Sequence, residues 1–387
     1  MAFPRTLAVL AAAAALVAAC GHGAARAPGA ASSAAGKPTV GPPTPACVSP
    51  VAAVPAALST RDKLAQLLMV GVRDAADVKA VVANHHVGGI MIGSWTDLSM
   101  LTNDALTDIA RNAGPLPLAV SVDEEGGRVS RLKSLIGTAP SARVLAQTST
   151  VDQVYDMALD RGRKMRNLGI TIDLAPVVDV SDAPDDSVIG SRSFSSDPAV
   201  VTAYAGAYAR GLRDAGLLPV LKHFPGHGHG SGDSHTGGVT TPPLQELQIN
   251  DLVPYRALVS DTPVGVMLGH LQVPGLTGDD PASLSPAAVQ LLRTGAGYGA
   301  PPFNGPVFSD DLSSMAAISD QYGVTDAVLH TLQAGTDIAL WVTTKEVPAV
   351  LDRLEKAVSA GELTMPAVDA SVVRVATIKG PGPGCGR

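Results

Sequence analysis

Short apolar runs alternate along the chain with longer segments in which apolar and polar residues recur at helical spacing. Most of the short runs are continuously apolar, as expected for parallel strands that are buried on both faces. They predict strands over residues 67–72, 88–92, 118–122, 170–175, 218–221, 265–268, 306–308 and 338–342.

The amphipathic segments predict helices over residues 75–84, 99–112, 151–168, 198–215, 250–260, 286–294, 325–333, 346–359 and 365–377. Eight strands with intervening helices predict an α/β fold, a single (β/α)8 TIM-type barrel. A doubly wound open sheet is the alternative. It usually has fewer strands, however, and no G-x-G-x-x-G phosphate-binding pattern follows the first strand.

Polar residues end several of the predicted strands. Active sites of (β/α)8 barrels lie at the carboxyl ends of the strands, whereas charged groups facing a packed core would be costly. We therefore expect the following residues to converge on one mouth of the barrel: Asp123, Asp179, Lys222, His223, His270, Asp310 and Asp311.

The segment 222–235, with the sequence KHFPGHGHGSGDSH, contains four of the nine histidines. Its glycines predict a loop with few contacts of its own, and titratable side chains on such a loop indicate chemistry on a mobile segment. Residues two apart in an extended loop point the same way, so Asp233 can accept the imidazole proton of His235 and set its tautomer. A bend after Lys222 and His223 would let both side chains reach the mouth.

The same histidines also allow a metal site, with imidazole ligands from His223, His227, His229 and His235. Metal-dependent barrel hydrolases usually spread their ligands over several strand ends, and a pair on a flexible loop is poorly preorganised. A metal-dependent hydrolase is therefore kept as an alternative.

Asp310 and Asp311 follow the seventh predicted strand. A carboxylate at a strand end can act as a nucleophile, a general base or a metal ligand. Asp is also a preferred helix cap. We expect Asp310 to be the chemical group and Asp311 to cap the segment that starts near Leu312.

A second polar motif, DEEGGRVSR at residues 123–131, follows the third strand. Asp123 and Arg131 can hydrogen-bond several hydroxyl groups at once, the arginine through its fixed fork of donors. The alternative is a surface loop of ion pairs. Arg192 follows the fourth strand, and composition alone favours its pairing with a nearby acid: Asp182, Asp185 or Asp186.

Charge and composition exclude some partners. The formal net charge is −7 and no basic cluster is present, which argues against a nucleic-acid surface. Aromatic residues make up only 3% of the chain and provide few stacking platforms.

The first residues resemble a bacterial lipoprotein signal, with Arg5, a short apolar run and a small-residue site that ends in Cys20. The expected organisation is a signal peptide over 1–19, a tether rich in Ala, Gly and Pro over 20–50, a catalytic domain over 51–379 and a tail over 380–387. Cleavage before Cys20 and lipidation of its thiol would anchor an exported protein at the outer face of the membrane.

Without Cys20 two cysteines remain, one near each end of the mature chain. Disulfides persist outside the cytoplasm, and an even pair fits a bridge between Cys47 and Cys385. The alternative is two unpaired thiols.

Four ordered motifs together resemble the β-N-acetylglucosaminidases of glycoside hydrolase family 3, in particular lipoprotein members from actinobacteria. The likeness extends over about residues 64–375. The motifs are D-x-E-G-G-R-V-x-R at 123–131, I-G-x-R-S-F at 189–194, K-H-F-P-G-H-G…D-S-H at 222–235 and S-D-D-L-S at 309–313.

The resemblance implies a retaining hydrolase with Asp310 as nucleophile and His235, oriented by Asp233, as general acid and base. It also implies that a terminal N-acetylglucosamine is held by Asp123, Arg131, Arg192, Lys222 and His223. The family's usual substrate is a cell-wall muropeptide that joins this sugar to N-acetylmuramic acid.

The resemblance further implies a protein without a metal or other cofactor. Because the chain ends soon after the predicted barrel, we do not expect the C-terminal sandwich domain of larger members, and we expect a monomer. His229 and Ser314 depart from the common pattern, which affects substrate preference rather than the reaction. Two alternatives remain: a phosphorylase that uses phosphate instead of water, and a lipoprotein that binds sugar without cleaving it.

Overall fold

The computed structural model describes residues 50–111, 113 and 116–379. The predicted signal peptide, the lipidation site Cys20 and the predicted disulfide partners Cys47 and Cys385 lie outside the described residues. Within them, no helix combines the length and apolar character needed to cross a bilayer.

Eight parallel strands form the centre of the fold, which confirms the predicted (β/α)8 barrel. Each strand pairs with its neighbours in the order β7-β6-β5-β4-β3-β2-β1-β8, and a parallel bridge between Phe308 and Ile338 closes the barrel. The strands are β1 Leu68–Val72, β2 Gly89–Ile92, β3 Ala119–Val122, β4 Ile172–Asp173, β5 Leu218–Phe224, β6 Gly265–Leu268, β7 Val307–Ser309 and β8 Ala339–Trp341.

Helices surround the barrel. The α-helices are Pro50–Ala57, Thr60–Ala65, Ala75–His85, Ala105–Arg111, Lys133–Ile136, Ala142–Thr148, Val151–Asn167, Pro198–Asp214, Leu244–Ile249, Val253–Leu258, Pro286–Thr294, Ala316–Ser319, Val324–Ala334, Val347–Ala360 and Met365–Ile378. Short 3₁₀ helices cover Leu98–Leu101, Gly190–Arg192 and Ala282–Leu284.

The predicted helix over 99–112 is wrong as a single element. The chain forms the 3₁₀ turn Leu98–Leu101 and starts a new helix at Ala105. Asp104 adopts a positive φ of 61°, and the side chain of Asn103 accepts a hydrogen bond from the Ala105 N–H. Asn and Asp side chains compete in this way with helical hydrogen bonds, so the helix breaks between the two turns.

The helices Val151–Asn167 and Pro198–Asp214 pack closely against each other outside the barrel. Thr150 and Gln153 form a capping box that fixes the start of the first helix. A Cβ atom at Gly211 would lie only 2.5 Å from the Tyr155 carbonyl oxygen, so glycine permits the close approach of the two helices.

The two ends of the barrel differ in chemistry. The carboxyl ends of the strands carry the polar residues expected there, including Asp123, Lys222 and Asp310. A cavity of about 800 Å3 opens at the amino ends, and its lining contains no carboxylate and no histidine. The candidate catalytic residues therefore lie at the carboxyl end, where (β/α)8 barrels have their active sites.

Candidate active site

A pocket of about 210 Å3 lies at the carboxyl ends of the strands. It brings together all five predicted sugar-binding residues with Asp310 and His235, while Asp233 lies behind His235. The lining consists of Met91, Trp95, Asp123, Glu125, Val129, Arg131, Leu174, Val188, Arg192, Lys222, His223, His227, Ser234, His235, Met267, Asp310, Asp311, Ser314, Met315, Leu340 and Val342.

Asp233 and His235 form the expected pair. One oxygen of Asp233, Oδ1, accepts hydrogen bonds from the backbone N–H of His235 at 2.9 Å and from its Nδ1 at 2.7 Å. Partial burial would raise the pKa of Asp233, but the hydrogen bonds from His235 outweigh it and lower the pKa. The ionised carboxylate accepts the Nδ1 proton, which leaves Nε2 of the exposed imidazole as the atom for acid–base chemistry.

The prediction of a loop with few contacts is wrong for its first half. A Cβ atom at Gly228 would lie 1.8 Å from the Val180 carbonyl oxygen, so this glycine allows close packing. Around Gly232, Gly237 and Gly238 nothing lies within 4 Å of such an atom. The loop is therefore packed at its start and open around the Asp233–His235 pair.

The segment after β7 supports the same loop. The Ala317 N–H donates to the Ser234 carbonyl oxygen at 3.1 Å. Ser234 is buried although its neighbours Asp233 and His235 are not. The segment that contains Asp310 and Ala317 is thus hydrogen-bonded to the loop that contains His235.

Asp310 follows β7 directly and is half-buried. Its backbone N–H donates to Leu268 at the end of β6, and its Oδ1 accepts the Asp311 N–H at 2.9 Å. Burial would raise the pKa of Asp310, but the electrostatic interactions with His223, His270 and Lys222 and the Asp311 hydrogen bond outweigh it and lower the pKa. Asp310 is accordingly ionised near neutral pH.

Asp311 has a structural role, as expected. Its carboxylate accepts hydrogen bonds from the backbone N–H groups of Ser313 at 2.8 Å and Ser314 at 3.2 Å. It caps a turn rather than the helix expected near Leu312, since the next helix begins at Ala316.

Lys222 and His223 both face the pocket although they are neighbours on β5. The pairing of β5 with β6 shifts register between Leu221 and Phe224, and the Lys222–His223 peptide bond is cis. Such a bulge interrupts the alternation of side chains along a strand. Lys222 Nζ contacts Asp123 Oδ1 at 2.7 Å and Glu125 Oε1 at 2.6 Å.

Glu125 links two cations of the site. Its carboxylate binds Arg192 through two hydrogen bonds of 2.8 Å and also contacts Lys222. Burial would raise the pKa of Glu125, but the charges of Arg192 and Lys222 outweigh it and hold the pKa far below its usual range. In turn, Asp123 and Glu125 outweigh the burial of Lys222 and raise its pKa.

The alternative for Arg192, pairing with Asp182, Asp185 or Asp186, is wrong. Asp185 instead accepts a hydrogen bond from Arg143, while Arg192 turns toward Glu125. The alternative of a surface loop at residues 123–131 is wrong as well. Glu124 is fully buried and pairs with Arg161 at 2.6 Å. The motif is therefore packed inside the protein.

Asp179 and His270 lie behind the pocket rather than in it. Asp179 Oδ2 binds His223 Nδ1 at 2.7 Å, and its Oδ1 accepts the His227 N–H at 2.8 Å. His270 Nε2 contacts the Asp311 carbonyl oxygen at 2.8 Å. Both residues therefore position groups that line the site.

Three buried side-chain nitrogens of residues that line the pocket have no hydrogen-bond partner among the described residues. Arg131 Nε is buried and unpartnered, and both ring nitrogens of the buried His227 are also unpartnered. Burial and the nearby charge of His223 lower the pKa of His227. Both residues line the pocket, and buried polar atoms without a partner are rare in folded proteins.

Three of the four loop histidines, His223, His227 and His235, line the pocket, whereas His229 is not part of its lining. His223 binds Asp179, His229 binds Asp251 at 3.0 Å and His235 binds Asp233. Over residues 50–111, 113 and 116–379, no three His, Cys, Asp or Glu side chains are grouped in a way that could hold a metal ion.

Sequence reasoning gave no role to Glu125 and Trp95 and only a general one to Asp179. Glu125 stands two residues after Asp123, and this period-2 spacing was the signal that both carboxylates share a direction. Asp179 carries no comparable local signal, because its partners His223 and His227 are distant in sequence. Nothing local in the sequence marks Trp95.

The chain matches the description "Glycosyl hydrolase family 3 N terminal domain" over residues 59–378. It is 74% identical to a protein of Mycobacterium tuberculosis described as beta-hexosaminidase LpqI, with 100% of both chains covered. The solved structure of M. tuberculosis LpqI is 77% identical, covers 87% of this chain and 98% of that chain, and gives a TM-score of 0.86.

A more distant solved structure has the same fold. A glycoside hydrolase family 3 β-N-acetylglucosaminidase from Paenibacillus gives a TM-score of 0.77 at 32% identity, covering 83% of this chain and 62% of that chain. Because the family match spans nearly the whole described barrel and the full-length relative is 74% identical, the chain belongs to glycosyl hydrolase family 3 and is a glycoside hydrolase.

Proposed function

We propose that the protein is a retaining exo-β-N-acetylglucosaminidase that removes terminal N-acetylglucosamine from cell-wall muropeptides. One observation carries this proposal: Asp310 and His235 line the same pocket from two neighbouring segments, and Asp233 holds the His235 ring from behind. The names of the relatives, a beta-hexosaminidase and a β-N-acetylglucosaminidase, support the choice of sugar.

In the first step the Asp310 carboxylate attacks the anomeric carbon. The bond from this carbon to the leaving oxygen breaks, and His235 donates its Nε2 proton to that oxygen. The product is a covalent glycosyl-enzyme on Asp310. The lowered pKa of Asp310 supports its role as nucleophile, because only the ionised carboxylate can attack the anomeric carbon.

In the second step His235, now neutral, takes a proton from water through Nε2. The hydroxide oxygen attacks the anomeric carbon, and the bond to Asp310 breaks. Two inversions restore the original β configuration. Asp233 stabilises the imidazolium form and fixes the Nδ1 tautomer throughout, as in other acid–base pairs of this kind.

The polar cluster is suited to the hydroxyl groups of one sugar. Asp123, Arg131, Arg192, Lys222 and His223 surround the pocket and offer both donors and acceptors. Its volume of about 210 Å3 lies below the roughly 300–1,000 Å3 of pockets for drug-sized ligands. This size supports removal of a single terminal residue, hence exo-cleavage.

The location and assembly are part of the proposal. Lipidation at Cys20 would anchor a monomeric enzyme at the outer face of the cell membrane, where wall fragments are present. The bridge between Cys47 and Cys385 is proposed for the same exported protein.

The test is the reaction of the purified protein with an aryl β-N-acetylglucosaminide, followed by proton NMR. We expect hydrolysis in which the β anomer of free N-acetylglucosamine appears first. An α anomer as first product would contradict the retaining mechanism. In added phosphate, a sugar phosphate as the main product would make the protein a phosphorylase, and loss of activity with a chelator would favour the metal-dependent alternative.

A further inference from the structure

The cavity of about 800 Å3 at the amino ends of the strands has no role in the proposed reaction. It lies at the opposite end of the barrel from the candidate active site, and the two linings have no described residue in common. Its walls come from the segments before β3, β4, β5, β6 and β7 and from the end of the helix Met365–Ile378, and it is called the basal cavity here. Its volume lies within the roughly 300–1,000 Å3 that is typical of small-molecule sites.

The walls of the basal cavity offer few hydrogen bonds. Prolines, which have no backbone N–H, contribute five of the lining residues: Pro117, Pro263, Pro301, Pro302 and Pro306. Thr171 also lines the cavity, but its hydroxyl already bonds the Val120 N–H at 2.8 Å and the Val120 carbonyl oxygen at 3.2 Å. A buried peptide backbone needs partners for its polar groups, whereas an acyl chain needs none. The lining therefore suits an acyl chain better than a peptide.

Two cations stand on one side of the basal cavity. Lys379 Nζ donates to the Gly88 carbonyl oxygen just before β2, and Arg166 Nη1 donates at 2.9 Å to the Ile170 carbonyl oxygen before β4. Because β3 lies between β2 and β4, and neighbouring strands are about 4.8 Å apart, the two carbonyl groups are about 10 Å apart. Lys379 and Arg166 therefore flank the start of β3.

The charges of these two cations are not compensated within the described part of the chain. Arg166 and Lys379 have only neutral acceptors there, the second acceptor of Lys379 being Gln66 Oε1 at 2.7 Å. Burial lowers the pKa of Lys379 to about 7, and no carboxylate offsets this effect. An anion bound between the two cations would supply the missing negative charge.

The other side of the basal cavity is apolar. Leu218, Val264 and Pro306 are buried and form its wall at β5, β6 and β7. A third lining cation, Arg213, is neutralised there, since its Nη1 lies 2.7 Å from Asp261 Oδ1. The basal cavity thus has a cationic side and an apolar side, as a site for an anionic amphiphile requires.

We propose that the basal cavity binds a long-chain fatty acid, with its carboxylate between Arg166 and Lys379 and its acyl chain along the apolar side. The ammonium and guanidinium groups donate charge-assisted hydrogen bonds to the carboxylate. The chain is removed from water against the walls before β5, β6 and β7. No residue of this site belongs to the candidate active site, so the inference is independent of the proposed glycosidase reaction.

The test is isothermal titration calorimetry of the full-length protein with Cys20→Ala, which removes the proposed lipidation site and hence any acyl chain of its own. The probes are dodecanoate, decanoate, 1-decanol and acetate, each below its micellar concentration and without detergent. We expect one molecule of dodecanoate to bind about 10- to 15-fold more tightly than decanoate, because two more methylenes are buried. Decanoate should bind at least about 10-fold more tightly than 1-decanol, which lacks the charge, and acetate should give no heat of binding.

Two variants in the Cys20→Ala protein test the carboxylate site. Arg166→Met should weaken dodecanoate binding by roughly 2- to 5-fold, the range of an exposed ion pair, and Lys379→Met by about 10- to 100-fold, the range of a buried charged hydrogen bond. Both should cleave an aryl N-acetylglucosaminide as the wild type does, which shows that they are folded. Arg163→Met is the matched control, since Arg163 is exposed on the same helix as Arg166 and lies outside the lining.

Three results would overturn the inference: no binding of dodecanoate, equal affinity for decanoate and 1-decanol, or a dodecanoate affinity that Arg166→Met and Lys379→Met leave unchanged. If Lys379→Met does not fold, Arg166→Met decides, because Arg166 is exposed and its replacement removes a single hydrogen bond to the Ile170 carbonyl oxygen. An equal loss of affinity in Arg163→Met and Arg166→Met would also overturn it, since a general change of surface charge would then explain both.

Discussion

Asp233 holds His235 at two points with one oxygen atom, since Oδ1 accepts both the backbone N–H at 2.9 Å and Nδ1 at 2.7 Å. The contact fixes the peptide and the imidazole together on a part of the loop where the glycines have open space. The orientation of His235 therefore depends on this carboxylate more than on packing.

We predict that Asp233→Asn lowers turnover by about 100-fold on a substrate with a poor leaving group, the lower part of the range for acid–base catalysis. A substrate with a strongly acidic aryl leaving group needs little protonation, so cleavage of its glycosidic bond should fall much less. Steady-state kinetics on a series of aryl N-acetylglucosaminides measures this difference.

The matched control is Asp62→Asn. Asp62 Oδ1 contacts His86 Nδ1 at 2.8 Å in a comparable Asp–His pair that lies outside the pocket. This variant should keep wild-type kinetics on every leaving group. An equal loss on good and poor leaving groups in Asp233→Asn would contradict a role in proton donation.

For the nucleophile we predict that Asp310→Ala lowers kcat by at least about 1,000-fold, because loss of a nucleophile removes the covalent path. Rapid quenching of the wild type followed by mass spectrometry should find one N-acetylhexosaminyl group on the peptide that contains Asp310. The exposed Asp320→Ala should retain activity. Wild-type turnover by Asp310→Ala would rule out the assignment.

The barrel could be predicted from sequence because its strands are continuous apolar runs that end in polar residues. The break at Asn103 and Asp104 was harder, since local side-chain hydrogen bonds compete with a helical pattern there. The sequence does not distinguish the packed Gly228 from the glycines with open space around them, because Gly228 packs on Val180, which is distant in the chain.

In the candidate site too, local patterns could be predicted from the sequence and contacts between distant segments could not. Motifs with local signals, such as Asp233 and His235, were found. The role of Glu125 could not be predicted, because its partner Arg192 lies in the segment after β4 and its partner Lys222 lies on β5. Only the folded barrel brings these charges into contact.

We predict that Glu125→Gln lowers the free energy of unfolding by about 3 kcal/mol, since it leaves the buried charge of Arg192 without its carboxylate partner, whereas Lys222 keeps Asp123. Urea denaturation measures the loss. Glu355→Gln is the control: its carboxylate pairs with Arg61 at the surface, where the expected change is below about 1 kcal/mol. A similar loss in both variants would contradict the central role of Glu125.

The stabilisation by Glu125 should depend on pH in a defined direction. Its pKa is lower in the folded protein than the ordinary value of about 4.3. The stabilisation is therefore fully present above that value, and it falls by about 1.4 kcal/mol per pH unit as the unfolded chain takes up the proton first. The difference in unfolding free energy between wild type and Glu125→Gln should stay constant from pH 8 to 6 and shrink below about pH 4. A difference that grows with acid would contradict this sign.

Arg131 and Arg192 line the same pocket but should respond differently to replacement. Arg192 is paired with Glu125, whereas Arg131 Nε is buried without a partner. Arg192→Met should therefore weaken both folding, by about 3 kcal/mol, and sugar binding. Arg131→Met should change the stability by less than about 1 kcal/mol, because its buried Nε has no hydrogen bond to lose. It should still raise the inhibition constant of free N-acetylglucosamine by about 10- to 100-fold, as expected for loss of a charged hydrogen bond.

Urea denaturation and product inhibition of the two variants, measured together, separate the roles of the two arginines. If Arg131→Met destabilises the fold as much as Arg192→Met and leaves the inhibition constant unchanged, Arg131 is a structural residue.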